Sequence, residues 1–487
     1  MNGRNNLNTT KGWNFDRVGA RLPIGVLSAA AIPYSKGADV RIIDQRTDDD
    51  WVDWIEQYID DKTVCVGITC MTGSQIKYAL EVSKYVKDTY PHIPIIWGGV
   101  HATLMSEQTL VNPYIDMIIR KEGDHTFYEV YDALKNKKSL DGIRGLWYKR
   151  EGQIFKNPDR PFIKDLDELP ELPYSLLEME KYTTVNFEHG GKSVDFVSSR
   201  GCPSNCSFCY NQFFNDCRWR SFSAIETVRR LKNVVKTYNI KSVFFQDDNF
   251  CVNIPRLKDI CKGIIREKLN IKWGTLGLRV DTAKMMDKEV LDLMEKSGCM
   301  NVDIGVESGS QTILNMIDKN IKAKDVLGVN EKLSKYPFII KYTFIVGFPG
   351  ETDDDIKKSI KLANDLVKGN KNAYTLFLIY TPYPGTPLFE KAVDLGFVPP
   401  DKLEEWSKFN YDNWATEFPS WHSKSHIRKL VSISFTSFFA NKNVMYKLNN
   451  KWVRFLFRIY LPIAQFRFKH NFHFMPLDSM IGRRLID

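Results

Sequence analysis

Six apolar, strand-like runs recur between Val194 and Pro382: "VDFVSS", "SVFFQDD", "KWGTLGLR", "NVDIGVE", "IIKYTFIVGF" and "AYTLFLIYTP". Stretches with helical spacing, such as "SAIETVRRLKNVVKTY" and "KEVLDLMEKSG", lie between them. Strands that alternate with helices must run parallel, because only a crossover can bring the chain back to the same end of the sheet. Six such units predict a partial (β/α)6 barrel, in which chemistry gathers at the C-terminal strand ends. The polar motifs of this segment fall at those ends.

A shorter α/β series comes first. Its strand-like runs are "ADVRIID" (38–44), "TVCVGITC" (63–70), "IPIIWGG" (93–99) and "IDMIIR" (115–120), with the helical "SQIKYALEVSKYVKDTY" between the second and third. They predict a parallel sheet of flavodoxin or Rossmann type. Residues 142–157, "GIRGLWYKREGQIFKN", read as a β-hairpin, and the acidic, proline-bearing "DLDELPELPYS" (165–175) as a linker. The expected division is 1–140, a hairpin and linker over 141–185, the barrel over 186–395, and a helical C-terminal region over 396–487.

Composition narrows the class. The 487 residues are 43% hydrophobic and 26% charged, ordinary for a soluble globular protein, and a net charge of +9 is too mild to argue for nucleic acid. The opening "MNGRNNLNTTKGW" is polar and shows no secretion signal, and no apolar run is long enough to span a membrane. Nine cysteines in such a chain point to a reducing, cytoplasmic setting, where clustered thiols bind metal more often than they pair.

The sharpest motif is "SRGCPSNCSFCY" (199–210), which places Cys202, Cys206 and Cys209 as C-x3-C-x2-C. A structural zinc site needs four ligands, and Cys217 is the available fourth. Three thiolates alone can instead hold three irons of a [4Fe–4S] cluster and leave the last iron open for a small molecule. The spacing, with Phe208 before the last cysteine and Tyr210 after it, resembles the signature of radical S-adenosylmethionine (SAM) enzymes. That resemblance covers roughly residues 190–390. It implies that SAM chelates the open iron and that its reductive cleavage gives a 5′-deoxyadenosyl radical.

Further positions follow from the resemblance. "FFQDDNF" (244–250) ends the second barrel strand, and Asp247 and Asp248 stand where the family places polar groups near the SAM amino end; a helix cap is the plain alternative. Arg279 of "LGLRVDT" would pair with the SAM carboxylate or form a structural ion pair. Glu307 of "IGVESGS" (304–310) would accept hydrogen bonds from the ribose. Val346 and Gly347 of "IVGFPGET" (345–352) resemble the segment that cradles adenine, and "YTPYPGTPLF" (380–389) resembles the sixth strand end of the subgroup.

In the first series, Thr69, Met71, Thr72, Gly73 and Ser74 lie in "GITCMTGSQ" (67–75), and Gly98, Gly99, Val100 and His101 in "WGGVHATL" (97–104). The Thr-x-Met, separated by 26 intervening residues from Gly-Gly, resembles two parts of the cobalamin-binding fingerprint. Glu122 and Gly123 of "KEGDHTF" (121–127) resemble a further loop of cobalamin-binding radical SAM proteins. The fingerprint's Asp-x-His-x-x-Gly is absent, which implies cobalamin without a histidine ligand; His101 reads first as a solvent-facing loop residue. The usual first strand is not evident, and the pattern is joined only near "RLPIGVLSAAA" (21–31).

Arg218, Trp219 and Arg220 in "CRWRS" (217–221) would contact a cofactor or an acidic substrate, or form a plain basic loop. Cys65, Cys70, Cys251, Cys261 and Cys299 sit in apolar patterns and read as core. The basic, aromatic stretch "KWVRFLFRIYLPIAQFRFKHNFHF" (451–474) reads as a lid helix on the barrel, with peripheral membrane contact as the alternative. The expected function is a radical SAM enzyme with [4Fe–4S] cluster, SAM and cobalamin, acting in C-methylation of an unactivated carbon. Oxidative cyclisation or rearrangement, as in anaerobic porphyrin-ring cyclases, and a non-catalytic cobalamin sensor are the alternatives. The resemblance implies a small-molecule substrate and an external low-potential electron donor of flavodoxin or ferredoxin type; the aromatic C-terminal stretch, if it covers the active site, would suit a hydrophobic substrate. The resemblance calls for no protein nucleophile.

Overall fold

The computed structural model describes residues 20–185, 191–409, 421–442 and 451–473. The polar opening, the 186–190 start expected for the barrel and the last residue of the 451–474 stretch lie outside the described residues.

The first sheet holds β1 (Val66–Thr69), β2 (Ile95–Gly98) and β3 (Met117–Ile119), parallel and in that order. Ile95, Ile96 and Trp97 are all buried, as expected where helices cover both faces of a parallel sheet. The helix Gln75–Thr89 contributes Ile76, Ala79, Val82 and Val86 to the core at helical spacing. The hairpin expected at 142–157 forms as β4 (Leu146–Arg150) and β5 (Gln153–Lys156), but it does not stand between domains. β4 pairs antiparallel with β3, so the sheet is mixed and the hairpin belongs to it.

The strand expected at 38–44 does not form beyond a single bridge at Asp44. Asp44 is buried by charge pairing instead: Arg46 grips its carboxylate at 2.6 Å and the Tyr182 hydroxyl donates to it at 3.1 Å. "RLPIGVLSAAA" runs into a helix, Ile24–Ser35, which packs on the helix Asp124–Lys135.

The second sheet follows the expectation. A short β6 (Thr184–Val185) pairs antiparallel with β7 (Lys192–Phe196). The chain then makes a two-stranded ribbon of β8 (Ser199–Arg200) and β9 (Arg220–Ser221) around the cysteine loop. Strands β10 (Ser242–Phe245), β11 (Lys272–Leu278), β12 (Cys299–Glu307), β13 (Ile339–Val346) and β14 (Ala373–Ile379) join β7 in chain order, all parallel. The order starts at β14 and ends at β6, so among the described residues the barrel stays open. The edge of β14 is covered by the helix Lys424–Phe439: the Phe377 amide donates to Ser437 Oγ at 3.0 Å, and Ser434 Oγ donates to the Phe377 carbonyl. No described helix is long and apolar enough to cross a membrane.

An ionic clamp with buried carboxylates joins the segment after β3 to the ribbon around the cysteine loop. Arg200 of β8 bonds Glu122 at 2.9 Å and Asp124 at 2.8 and 2.9 Å, and Arg220 of β9 bonds Glu122 at 2.7 Å. The second Glu122 oxygen accepts from the Ile163 amide at 2.9 Å. Burial opposes ionisation of Asp124, but the Arg200 charge outweighs it and holds the carboxyl below its ordinary 3.8. Asp124→Ala leaves the half-buried Arg200 with half its partners and should lower unfolding stability by about 3 kcal/mol. A carboxyl depressed in the folded state stabilises at neutral pH and loses that contribution as pH falls through the depressed value. The gap in melting temperature between wild type and variant should therefore narrow below about pH 4; equal melting temperatures at pH 7 would remove the clamp from the account.

Candidate cofactor site

The cysteine loop leaves β8 through Gly201, whose φ is +81°; a Cβ there would lie 2.0 Å from the Arg218 carbonyl, so only glycine passes. Buried Asn211 then laces the loop. Its Oδ1 accepts from the Cys202 amide at 3.0 Å, and its Nδ2 donates to the Cys202 carbonyl at 2.6 Å. The Ser207 amide donates to the Ile317 carbonyl at 3.0 Å and its carbonyl accepts from Leu388 at 2.9 Å. These bonds tie the loop to the segments beyond β12 and β14.

Cys202, Cys206 and Cys209 are free thiols, Cys206 buried and the other two half-buried. Burial pushes the Cys209 thiol up to about 12, with the neighbouring Asp248, Cys206 and Cys202 acting in the same direction. Such a thiol becomes a ligand only when a metal supplies the compensating charge. Two donors reach the sulfurs: Arg279 Nη1 at 3.4 Å from Cys206 Sγ, and Asn249 Nδ2 at 3.5 Å from Cys202 Sγ. Hydrogen bonds to cysteine sulfur are one of the means by which proteins tune iron–sulfur clusters. Among the described residues no three His, Cys, Asp or Glu side chains converge on a single ion; thiolates that each hold their own iron need no such convergence. The donor set fits a cluster.

Around this loop the strand ends divide into residues that face it and residues that do not. Asp248 is exposed and accepts from the Tyr210 hydroxyl at 2.8 Å and the Gly201 amide at 2.9 Å. Asp247 turns the other way, into the core, where it receives the Ser198 amide, the Ser198 hydroxyl at 2.8 Å and the Ser199 hydroxyl. Burial raises its carboxyl to about 6 against those bonds and the Arg256 charge. It fastens the β7–β8 turn and offers no free face to a ligand, contrary to the expectation that it holds SAM.

Arg279 is buried, bonded to Asp281 and to the Lys319 carbonyl at 2.6 Å, so its structural ion pair is real and one guanidinium nitrogen still faces Cys206. Glu307 ends β12 at a register shift and adopts a φ of +68°, a left-handed conformation rare for a glutamate. Its Oε1 accepts from Lys319 Nζ at 2.7 Å, both side chains being buried. The Val346 side chain lies in the core and its carbonyl accepts from the Tyr380 amide at 2.8 Å. Gly347 donates its amide to Glu351 Oε2 at 2.5 Å. Phe208 stacks obliquely on Phe348, ring centroids 6.0 Å apart. Tyr210, Asp248, Arg279, Phe208 and Glu307 thus gather at the barrel mouth, while the side chains of Asp247 and Val346 do not.

Sequence reasoning passed over Asn211, Asn249 and Lys319. Asn211 and Asn249 stand within two residues of quoted motifs, and polar residues in such loops are readable candidates. Lys319 carried no local signal.

The first sheet presents its loops at the same rim. Gly99 (φ +94°) allows the β2 loop to pass 2.7 Å from where its Cβ would meet the Cys70 carbonyl; beside it, a Cβ on Gly98 would meet nothing nearer than 3.9 Å. Met71 is exposed, Gly73 carries φ +119°, and Ser74 precedes the helix Gln75–Thr89. Thr69, Met71, Gly98, Gly99 and Val100 stay at least partly exposed, while Gly73 and Ser74 are buried; the exposed set forms an edge of the kind that holds ligands in α/β sheets, and it fits a cobalamin tail. His101 is corrected. It is fully buried, its Nδ1 2.9 Å from Thr72 Oγ1 and its ring against Trp406. Burial lowers its pKa to about 3, so it stays neutral. Glu122 is corrected too, since both its oxygens serve the clamp, and Gly123 only opens the helix that follows. Arg220 belongs to the clamp, Arg218 lies over the Phe162 ring, and Trp219 Nε1 donates to the Asn249 carbonyl at 3.0 Å. The two rims touch: a Cβ on Gly385 would lie 3.1 Å from Leu104, beside the β2 loop, and 3.8 Å from Phe213, beside the cysteine loop.

Comparison with known proteins agrees with this layout. The Radical SAM superfamily model matches residues 196–363, and the B12 binding domain model matches residues 18–131. An uncharacterised methyltransferase of Pyrococcus horikoshii is 33% identical over 430 residues, 87% of this chain and 89% of its own. An anaerobic magnesium-protoporphyrin IX monomethyl ester cyclase of Rubrivivax gelatinosus is 27% identical over 83% of this chain and 71% of its own. The solved structure of the cobalamin-dependent S-adenosylmethionine radical enzyme OxsB, with aqua-cobalamin and S-adenosylmethionine bound, superposes with a TM-score of 0.74 at 19% identity, covering 97% of this chain and 73% of that one. The chain belongs to the radical SAM enzymes that carry an N-terminal B12-binding domain.

Proposed function

We propose that this enzyme transfers a methyl group from SAM to an unactivated carbon of a small, hydrophobic molecule, with cobalamin between donor and acceptor. The observation that carries the reading is the approach at Gly385, where Leu104, at the end of the helix that follows the Gly98–Gly99 edge, and Phe213, in the helix that follows the cysteine loop, come to the same turn. A carrier held at that edge and a radical generated at that loop would then address one substrate. The description of the Pyrococcus relative as a methyltransferase supports the same choice.

Cys202, Cys206 and Cys209 would hold the cluster, which when bound supplies an electron for SAM cleavage, the electron coming from an external low-potential donor. Arg279 and Asn249 would steady the sulfurs. Asp248 and Tyr210 would bind the polar end of SAM, and Glu307, aimed by Lys319, its ribose. Phe208 and Phe348 would shield the centre from water. The Gly98–Gly99 edge and the Thr69–Ser74 loop would seat cobalamin. The similarity to the Rubrivivax cyclase favours oxidative cyclisation as the second reading. Methyl transfer releases S-adenosylhomocysteine together with 5′-deoxyadenosine; cyclisation releases only the latter.

Two outcomes follow after anaerobic reconstitution with iron, sulfide, SAM and reductant. Cys206→Ala should lose 5′-deoxyadenosine formation and the sulfur-to-iron absorbance, while Cys217→Ser keeps both; a Cys217→Ser protein that loses its iron would reinstate a four-cysteine site. Asp248→Ala should weaken SAM binding by about 1–3 kcal/mol, the range for hydrogen bonds to a charged group. Asp247→Asn should leave SAM affinity unchanged and lower thermal stability. Calorimetric titration that finds the reverse order would exchange the two roles.

A further inference from the structure

The strongest feature that the cofactor site does not absorb is the helix Lys451–Lys469. Three faces run along it. Phe457, Ala464 and Phe468, at i, i+7 and i+11, are buried against Val431, Phe435 and Phe439 of the helix Lys424–Phe439 and against Phe377 of β14. Trp452, Phe455, Leu456, Ile459, Ile463 and Phe466, at i, i+3, i+4, i+7, i+11 and i+14, form a second apolar stripe, and each is between 49% and 77% exposed. Arg454, Arg458 and Lys469 form a third row along one flank of that stripe.

A helix on the surface of a barrel ordinarily needs one apolar face. This one has two, and the second is large, aromatic and open to water. Contiguous exposed apolar surface of this kind marks a contact. Its charge selects the partner. Residues 421–473 contain ten lysines and arginines and no aspartate or glutamate, so the net charge of +9 for the whole chain resides in this stretch. An apolar stripe with a cationic flank and no acid is the pattern of a helix that lies in a bilayer interface, its apolar side chains among the acyl chains and its arginines at anionic headgroups. The helix is not apolar enough to cross, and Pro462 within it leaves such a surface position unaffected.

We propose that the helix Lys451–Lys469 docks the enzyme on an anionic lipid bilayer through Trp452, Phe455, Leu456, Ile459, Ile463 and Phe466. The docked helix packs directly on the helix that covers β14, so the barrel would sit against the membrane surface.

The test is flotation of the full chain, holoenzyme, with vesicles of phosphatidylcholine alone or mixed with phosphatidylglycerol. Wild type should float with the phosphatidylglycerol vesicles, less as salt rises, and weakly with phosphatidylcholine alone. The double variant Leu456→Asp/Ile459→Asp, altered only at exposed positions, should lose bound fraction by about tenfold or more while its circular dichroism and melting temperature stay those of wild type. Arg454→Glu/Arg458→Glu should lose the preference for anionic vesicles. Three results would overturn the proposal: wild type remaining in solution with phosphatidylglycerol vesicles; the aspartate variant floating like wild type; or sedimentation showing a wild-type dimer that the aspartate variant breaks, with no vesicle binding, which would make a second copy of the chain the occupant.

Discussion

The arrangement of this enzyme turns on a buried charge cluster. Glu122 and Asp124 at the end of the first sheet meet Arg200 and Arg220 on the ribbon that brackets the cysteine loop. Buried ion pairs are poor sources of net stability, because desolvation offsets most of their attraction. What they impose is geometry: misplaced by a residue, each charge would be left alone in a medium that penalises it heavily. Arg200 stands two residues before Cys202. Carboxylates that follow the first sheet therefore help to set the register of the first cysteine.

A second constraint acts along the barrel strands. The neighbouring strands β11, β12 and β13 change backbone shape at their C-terminal ends. β11 shifts register near Gly277, whose φ of +75° brings its backbone against the Asp248 carbonyl. β12 shifts between Gly305 and Glu307, and β13 ends at Gly347 with φ +86°. Bulges and left-handed residues re-aim side chains where pairing stops. Three neighbouring strands doing so at one rim makes a mouth whose lining is set by backbone shape. Pairing with Lys319 then decides where the Glu307 carboxylate points.

The barrel was legible in the sequence because parallel strands buried on both faces leave long apolar runs, and six of them stand between helical stretches. The run at 38–44 looked equivalent, but its Asp39 and Arg41 are exposed and Asp44 is drawn in by Arg46 and Tyr182, partners that an apolar pattern does not record. The cysteine trio was legible because its spacing is local. Asp247 and Asp248 show where local reading stops. Adjacent residues of one type point to opposite sides, and only Ser198, Ser199, Tyr210 and Gly201, brought in by the fold, tell the inward carboxylate from the outward one. Glu122 and His101 were misread for the same reason, since their partners lie 78 residues away at Arg200 and 29 away at Thr72.

The C-terminal helices follow from the open barrel. A sheet that stops at β14 leaves an unpaired edge, and bare edges invite unwanted pairing. The helix Lys424–Phe439 covers it and also answers its hydrogen bonds, which explains buried Ser434 and Ser437. That helix is buried nearly all round, so it needs an outer neighbour, and Phe457, Ala464 and Phe468 of the helix Lys451–Lys469 supply one. Covering the edge accounts for one apolar face of this last helix and for nothing on the opposite side. The exposed stripe from Trp452 to Phe466 therefore has no origin in closing the fold. Its row of arginines, and the absence of any carboxylate from 421 to 473, give it a chemistry that the barrel itself never needed.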